Sequence, residues 1–282
     1  MSYKVLDVRQ PIPDHCVFGP IETIYNLAAV HRTPGHEDEE YYETNVSGAV
    51  HVCHFATRHN VKRIVFTSSI AVYGPTEEPL TEEASPNPVS AYGRSKLFAE
   101  RIHSLWHDQA SDRYLRIVRP AVIFGPGERG NFTRLAEALR KRTFFYPGRK
   151  DTIKSLGFVE DLVESMLFSL NLEDRHFVYN FCHPDRFSIE DICNSFHRVA
   201  GYPLPWGKVP ISLMLLAASI FEGVSFFSGN SSINRARIAK LVKSTNIEPK
   251  NITDAGFQNF TSLDEALRRW MTISRGRLAK FK

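Results

Sequence analysis

Along the first part of the chain, short apolar runs alternate with longer stretches of helical periodicity. Thr23-Ile-Tyr-Asn-Leu-Ala28 predicts a buried strand, and Arg63-Ile-Val-Phe-Thr67 and Tyr114-Leu-Arg-Ile-Val-Arg119 predict two more. From Glu39 to His59 the apolar positions Tyr42, Val46, Val50 and Cys53 recur at helical spacing, which predicts one long helix. Ala91–Trp106 predicts a second. Strands separated by helix-length segments close on one another as right-handed βαβ units, so the predicted class is α/β with a parallel sheet.

After Pro120 the texture changes. Gly125-Pro126-Gly127 marks a loop, and helical patterns then dominate: Asn131–Arg140, Val159–Leu170, Ser188–Ala200, Ile211–Phe221 and Ile233–Val242. Only His176–Asn180 reads as a further core strand. Residues 1–125 are therefore expected to carry most of the sheet, and residues 126–282 a smaller, mainly helical region. The apolar stretch Val209–Phe221 is broken early by Glu222. A spanning helix needs about 20 apolar residues, so a buried helix is expected here rather than one on a membrane surface.

With 282 residues, 43% of them apolar and 23% charged, the chain is long enough for a substantial core. A net charge of +4 without a long basic run gives no footprint for nucleic acid. Cys16, Cys53, Cys182 and Cys193 stand far apart. No zinc knuckle, other metal site or disulfide framework is predicted, and reduced cytoplasmic thiols are the simplest reading. Met1–Arg9 mixes polar and apolar residues and does not read as a signal peptide.

One spacing carries chemistry. Tyr92 and Lys96 lie one helical turn apart, so they share a face. A neighbouring ammonium favours a phenolate, which suits tyrosine to proton transfer. Alone, the pair reads as readily as decoration of a solvated helix. Upstream, Thr67-Ser68-Ser69 closes a predicted strand at the end where open α/β sheets bind ligands, although a serine there also serves as a turn or cap.

Several motifs in register settle what the pair is compared with. The runs Thr67–Gly74, Pro88–Glu100 and Arg119–Gly127 resemble the extended short-chain dehydrogenase/reductases, of the NAD-dependent epimerase/dehydratase, nucleotide-sugar type. Asn26-Leu-Ala-Ala29, Asn45-Val-Ser-Gly48 and Phe158-Val-Glu-Asp161 follow the same pattern. The resemblance implies a Rossmann-like fold and an enzyme. In it Ser69 orients the substrate oxygen, with Ser68 beside it; Tyr92 is the acid/base; Lys96 tunes the phenol and holds the nicotinamide ribose. Asp7 corresponds to the acid near the adenine, Ala28 and Ala29 to the small residues beside the cofactor, and Asn45 to the helix asparagine next to them. Lys154 falls where an arginine often meets the substrate diphosphate. NAD or NADP, with NAD favoured, a nucleotide-sugar substrate and a homodimer are implied.

Two departures refine this. No Gly-x-x-Gly-x-x-Gly occurs, and the sequence opens where the family's adenine-side strand belongs. An N-terminally truncated chain is expected, with an exposed sheet edge, low stability as a monomer and weak binding of NADH. The family's dehydratases follow the serine with Asp-Glu, and decarboxylating and 3,5-epimerising relatives carry glutamate or cysteine at the second of those positions. Ile70-Ala71 stands there instead. An epimerase or ketoreductase is the leading expectation. The alternatives are a hydroxysteroid-type dehydrogenase, favoured by Val209–Phe221, and a non-catalytic remnant that has lost cofactor binding.

Overall fold

A computed structural model describes residues 4–16, 19–31, 35–214 and 242–274. Its centre is a four-stranded, all-parallel sheet built from β1 (Thr23–Asn26), β2 (Arg63–Thr67), β4 (Tyr114–Pro120) and β8 (His176–Phe181), hydrogen-bonded in that order. The register is unbroken across each pair, with Phe66 opposite Asn26 and Ile117 opposite both Phe66 and Val178. The outer edge of β1 pairs with no other strand among the described residues.

Period-two alternation divides the sheet into two faces. Ile64, Phe66, Leu115 and Ile117 point to one face. There they pack with Ala49, Cys53 and Ala56 of α2 (Gly48–Arg58) and with Ala99 and Trp106 of α3 (Ala91–Asp108). Val65, Val118, Tyr179 and Phe181 meet Leu162 and Met166 of α5 (Val159–Ser169) on the other face. A third core lies beyond Phe124. It joins α4 (Asn131–Arg140), α6 (Ile189–Ala200) and the last described helix, α8 (Leu263–Ile273), around Phe132, Phe196 and Trp270. The short helix α7 (Lys250–Asp254) sends Ile252 back under the main sheet.

The fold departs from the pattern reading in two places. The long helix expected over Glu39–His59 is interrupted: α1 (Asp38–Tyr42) leads into a π-helical turn, Glu43–Ser47, before α2 begins. The C-terminal region also contains more strand than His176–Asn180. Parallel pairs form between β3 (Thr76–Leu80) and β10 (Thr245–Ile247), β5 (Val122–Phe124) and β7 (Leu156–Phe158), and β6 (Tyr146–Pro147) and β9 (Lys208–Val209). Segments of two or three residues are too short for alternation to register, and β3 carries a proline and two glutamates. Of the two apolar helices expected near the end, Ile211–Phe221 is described only at residues 211–214, which are helical, and Ile233–Val242 only at its last residue.

A chain of buried polar groups ties these layers together. Glu100 of α3 takes a bidentate hydrogen bond from Arg119 of β4, at 2.9 and 2.7 Å. Arg119 also donates to the Tyr73 hydroxyl at 2.6 Å, and Tyr73 donates to Asn180 Oδ1 of β8 at 3.0 Å. The ion pair is nearly solvent-free, its side chains 8% and 7% exposed. Burial opposes the charge on Arg119, but Glu100 and Tyr73 outweigh it and hold the guanidinium pKa above its usual value. Removing one partner of such a pair leaves an uncompensated charge. Glu100→Ala is therefore expected to lower the unfolding free energy by about 3–5 kcal/mol in urea titrations. Glu100→Gln, which keeps the volume and one acceptor, should cost less.

Candidate active site

The site is assembled where β1 and β2 end. Beyond β2, Ser69 caps a 3-10 turn, Ile70–Val72, its hydroxyl accepting from the Ala71 N–H at 3.1 Å. Ser90 caps α3 in the same manner, accepting from the Gly93 N–H at 3.1 Å. Turn and helix touch at Gly93. A Cβ there would sit 2.3 Å from the Ala71 carbonyl oxygen, so only glycine permits the approach. That contact brings Tyr92 beside Ser69. Burial pushes the phenol up, and a hydrogen bond with Ser69 draws it partly back.

Lys96, one turn further along α3, is 1% exposed. Its Nζ donates to the Thr67 carbonyl at 2.8 Å and lies 4.8 Å from the centre of the Phe66 ring. Burial brings its pKa down to about 7, against the pull of Glu100. The expectation that this ammonium lowers the Tyr92 pKa is not met in this state, because burial dominates the phenol and the end of β2 offers Lys96 a backbone acceptor instead. Ser68 is also buried. Its N–H donates to the Val118 carbonyl at 2.7 Å, while its hydroxyl has no hydrogen-bond partner in the structure.

Asn45 joins the two halves of the site from the π-helical turn, a feature frequent at functional positions. It clamps the backbone of Val30, accepting from its N–H at 3.1 Å and donating to its carbonyl at 3.2 Å. Its amide also donates to Ser95 Oγ at 2.9 Å, and Ser95 donates to the Tyr92 carbonyl at 2.9 Å. The loop carrying the half-buried Ala28 and Ala29 is thereby tied to the helix carrying Tyr92.

The other two expected residues stand apart from this cluster. Asp7 is exposed, and Arg9 holds its carboxylate at 2.7 Å and keeps its pKa below the usual range. The segment packs on α2, with Val8 against Gly48 and its carbonyl 2.8 Å from His51 Nδ1. Lys154, next to β7, donates through Nζ to the Lys243 carbonyl. Burial lowers its pKa to about 8, while Glu77 raises it. Arg149 and Ser244 bond the same Glu77 at 3.0 and 2.8 Å, so Lys154 belongs to a compact polar group on the C-terminal side.

Sequence reasoning passed over four supports. Ser95 and Gly93 sit inside the Tyr92–Lys96 spacing, but their roles depend on partners distant in the chain. His103, fully buried and stacked 4.2 Å from Phe66, bonds Ala99 and Asn26 and fixes the end of β1. The fourth is Gly125-Pro-Gly127-Glu-Arg-Gly130, a Gly-x-Gly-x-x-Gly spacing that runs from β5 into α4. Its helix N-terminus is filled by the chain itself, because Glu128 accepts from the Thr133 N–H at 2.9 Å and from the Thr133 hydroxyl.

A model of the NAD dependent epimerase/dehydratase family matches residues 14–182. The chain belongs to this family. It is 30% identical over 270 residues to the N-acetyl-alpha-D-glucosaminyl-diphospho-ditrans,octacis-undecaprenol 4-epimerase of Escherichia coli O157:H7, covering 94% of this chain and 81% of that one. To the UDP-glucose 4-epimerase of Yersinia enterocolitica it is 31% identical, but over 60% of this chain and 57% of the relative. The fold is similar to that of MoeE5 in complex with UDP-glucose and NAD, with a TM-score of 0.70 at 22% identity, covering 92% and 81% of the two chains. The UDP-glucuronic acid 4-epimerase of Bacillus cereus in complex with NAD also gives 0.70, at 17% identity over 91% and 76%.

Two outcomes test this family member's geometry. Gly93→Ala should cost about 1–3 kcal/mol of stability by forcing α3 from the Ala71 carbonyl, measured as a lower urea midpoint. Lys96 is protonated in the unfolded chain up to about its ordinary pKa but in the fold only up to about 7. Its burial penalty is thus full below pH 7 and fades as pH rises towards that ordinary value. Lys96→Met should accordingly raise the melting temperature most at pH 6–7, the gain disappearing near pH 10.

Proposed function

We propose that this family member is an NAD(P)-dependent 4-epimerase of a diphosphate-linked sugar, working through Ser69, Tyr92 and Lys96. The observation that carries the reading is the convergence of these residues at the ends of β1 and β2. Ser69 and Tyr92 meet through the Gly93–Ala71 contact, and Asn45 ties Tyr92 to the Ala28–Ala29 loop. In this reading residues 1–125 serve the dinucleotide and residues 126–282 the sugar diphosphate.

The residues present fit the ribose and nicotinamide end of such a cofactor. Ser68 offers a buried hydroxyl without a partner among the described residues, and Lys96 a buried ammonium on a backbone carbonyl and an aromatic face. At the diphosphate end, the Gly125–Gly130 turn supports no second assignment, because Glu128 takes the N-terminus of α4. When bound, the nicotinamide supplies hydride acceptance and return at the sugar carbon. Ser69 holds the reacting oxygen and passes its hydrogen bond to Tyr92. Tyr92 removes the hydroxyl proton as the ketone forms and gives it back when the alcohol is restored on the other face. Lys96, leaving the Thr67 carbonyl for a ribose, would bring its charge towards the phenol and favour the phenolate. Lys154, with Arg149 beside Glu77, is the cation proposed to meet the sugar diphosphate.

Relatives named for UDP-glucose favour a nucleotide sugar. A polyprenyl diphosphate sugar is the second reading, because the relative matched over 94% of this chain is named for one. The apolar stretch that favoured a hydroxysteroid lies mostly outside the described residues.

Tyr92→Phe should lower turnover about a hundred- to ten-thousand-fold with cofactor affinity nearly unchanged, since only the proton carrier is lost. Ser69→Ala should cost roughly tenfold, the worth of one hydrogen bond. Lys96→Ala should impair both turnover and binding of NADH. Steady-state kinetics on nucleotide-linked and polyprenyl-linked sugars, with fluorescence titration of NADH, decide the ordering; near-normal turnover by Tyr92→Phe sinks the reading.

A further inference from the structure

Lys96 rests on two groups, and both lead to one residue. Its Nζ donates to the Thr67 carbonyl at 2.8 Å and lies 4.8 Å from the centre of the Phe66 ring. His103, about two turns further along α3, stacks on that same ring at 4.2 Å with the planes 15° apart. The other route runs through the end of β1. His103 Nε2 lies 3.2 Å from Asn26 Nδ2, and the Asn26 carbonyl accepts from the Thr67 hydroxyl at 3.1 Å. Asn26 and Phe66 are register neighbours on β1 and β2, so the two routes share one face of the sheet. Every member is buried: His103 is 0% exposed, Phe66 and Lys96 1%, and Asn26 6%.

The partners of His103 also fix its proton. The Ala99 carbonyl, 2.7 Å from Nδ1, can only accept, and the Asn26 amide nitrogen can only donate. Nδ1 therefore carries the hydrogen and Nε2 does not. A second proton, on Nε2, would meet the Asn26 N–H. Burial lowers the imidazole pKa to about 4; the Ala99 bond acts the other way, and the charge of Lys96 adds to the lowering. An uncharged ring suits this place, because a cation behind Phe66 would repel the ammonium in front of it. A buried, satisfied histidine is often a core residue and nothing more. That role accounts for the Ala99 bond, but not for both supports of Lys96 converging on one side chain.

We propose that His103 is a positioning residue for Lys96: through Phe66, and through Asn26 and Thr67, it holds the place where the ammonium rests. The proposal rests on the reading of Lys96 as the group that meets the ribose and the Tyr92 phenol. A hydrogen bond and an aromatic face both favour the charged lysine. Loosening either support disfavours that charge, and Lys96 then loses its proton at lower pH. Glu100, on the same helix, favours the charge, and β2 meets the ammonium with the uncharged Phe66 and Thr67.

NMR of the cofactor-free full chain, with lysine labelled by carbon-13 at Cε, reads the Lys96 titration, and Lys96→Met assigns the signal. Asn26→Leu with His103→Phe removes both hydrogen-bonding partners at similar shape, which is the mildest way to break the link, and keeps the ring stack. Its midpoint should fall by about 0.5–1 pH unit, as expected when the hold on the charge weakens about threefold to tenfold. Asn26→Ser keeps His103 and admits water at Nε2. It should give a smaller shift of the same sign, and serves as the test if the paired variant does not fold. Trp106→Phe, in the same core as Phe66, should lower the urea midpoint without moving the titration. In turnover, the alkaline limb of the pH profile should move down with the Lys96 midpoint. An unchanged or raised midpoint in either folded variant, or an equal shift in Trp106→Phe, overturns the proposal. Absence of turnover by the unaltered protein overturns the epimerase reading alone, because the titration is read without cofactor or substrate.

Discussion

The buried run from Glu100 through Arg119 and Tyr73 to Asn180 holds the proposed site in register. It crosses α3, β4, the segment after the Ser69 turn, and β8, four elements that are remote in the chain. Asn180 continues it by donating to the Glu248 carbonyl at 3.0 Å, which reaches the C-terminal unit. Hydrophobic layers alone would let α3 slide along the sheet with little change in buried area, whereas a bidentate ion pair fixes one offset. That offset sets where Tyr92 and Lys96 fall relative to Ser69. The charges are desolvated at a cost, and their mutual geometry offsets it.

Within that frame the fold holds a buried lysine beside Tyr92. Lys96 is 1% exposed, and burial lowers its pKa to about 7 despite the charge of Glu100. In the proposed reading a ribose hydroxyl pair or a phenolate relieves the penalty, so binding and stability draw on the same group. Tyr92 shows the complementary side, since its own burial disfavours the phenolate until a charge arrives. Both groups are thus poised by environment rather than by their pairing in the helix. The surrounding supports are rigid: Gly93 locks the turn to the helix, and Asn45 locks the loop to it.

The surface follows another logic. The third core, around Phe132, Phe196 and Trp270, is filled, yet the strip across β6 and β9 leaves Trp206 and Leu204 outside it.

The sequence by itself determined the sheet and its chemistry-bearing helix. Strands of five or more β-branched and aromatic residues, and helices of ten or more, carry enough periods to be read directly, and β2, β4 and α3 fall within a residue or two of their predicted bounds. The Tyr92–Lys96 spacing and the Ser68–Ser69 position were legible for the same reason, being local. Tertiary structure alone decided the rest. Lys96 turned to the Thr67 carbonyl, Asn45 grasped Val30 and Ser95, and the short β3–β10, β5–β7 and β6–β9 pairs formed, because each depends on a partner brought near by folding. A one-turn spacing fixes which face two side chains share, but the dielectric around them, and hence which proton each holds, is set by whatever packs over that face.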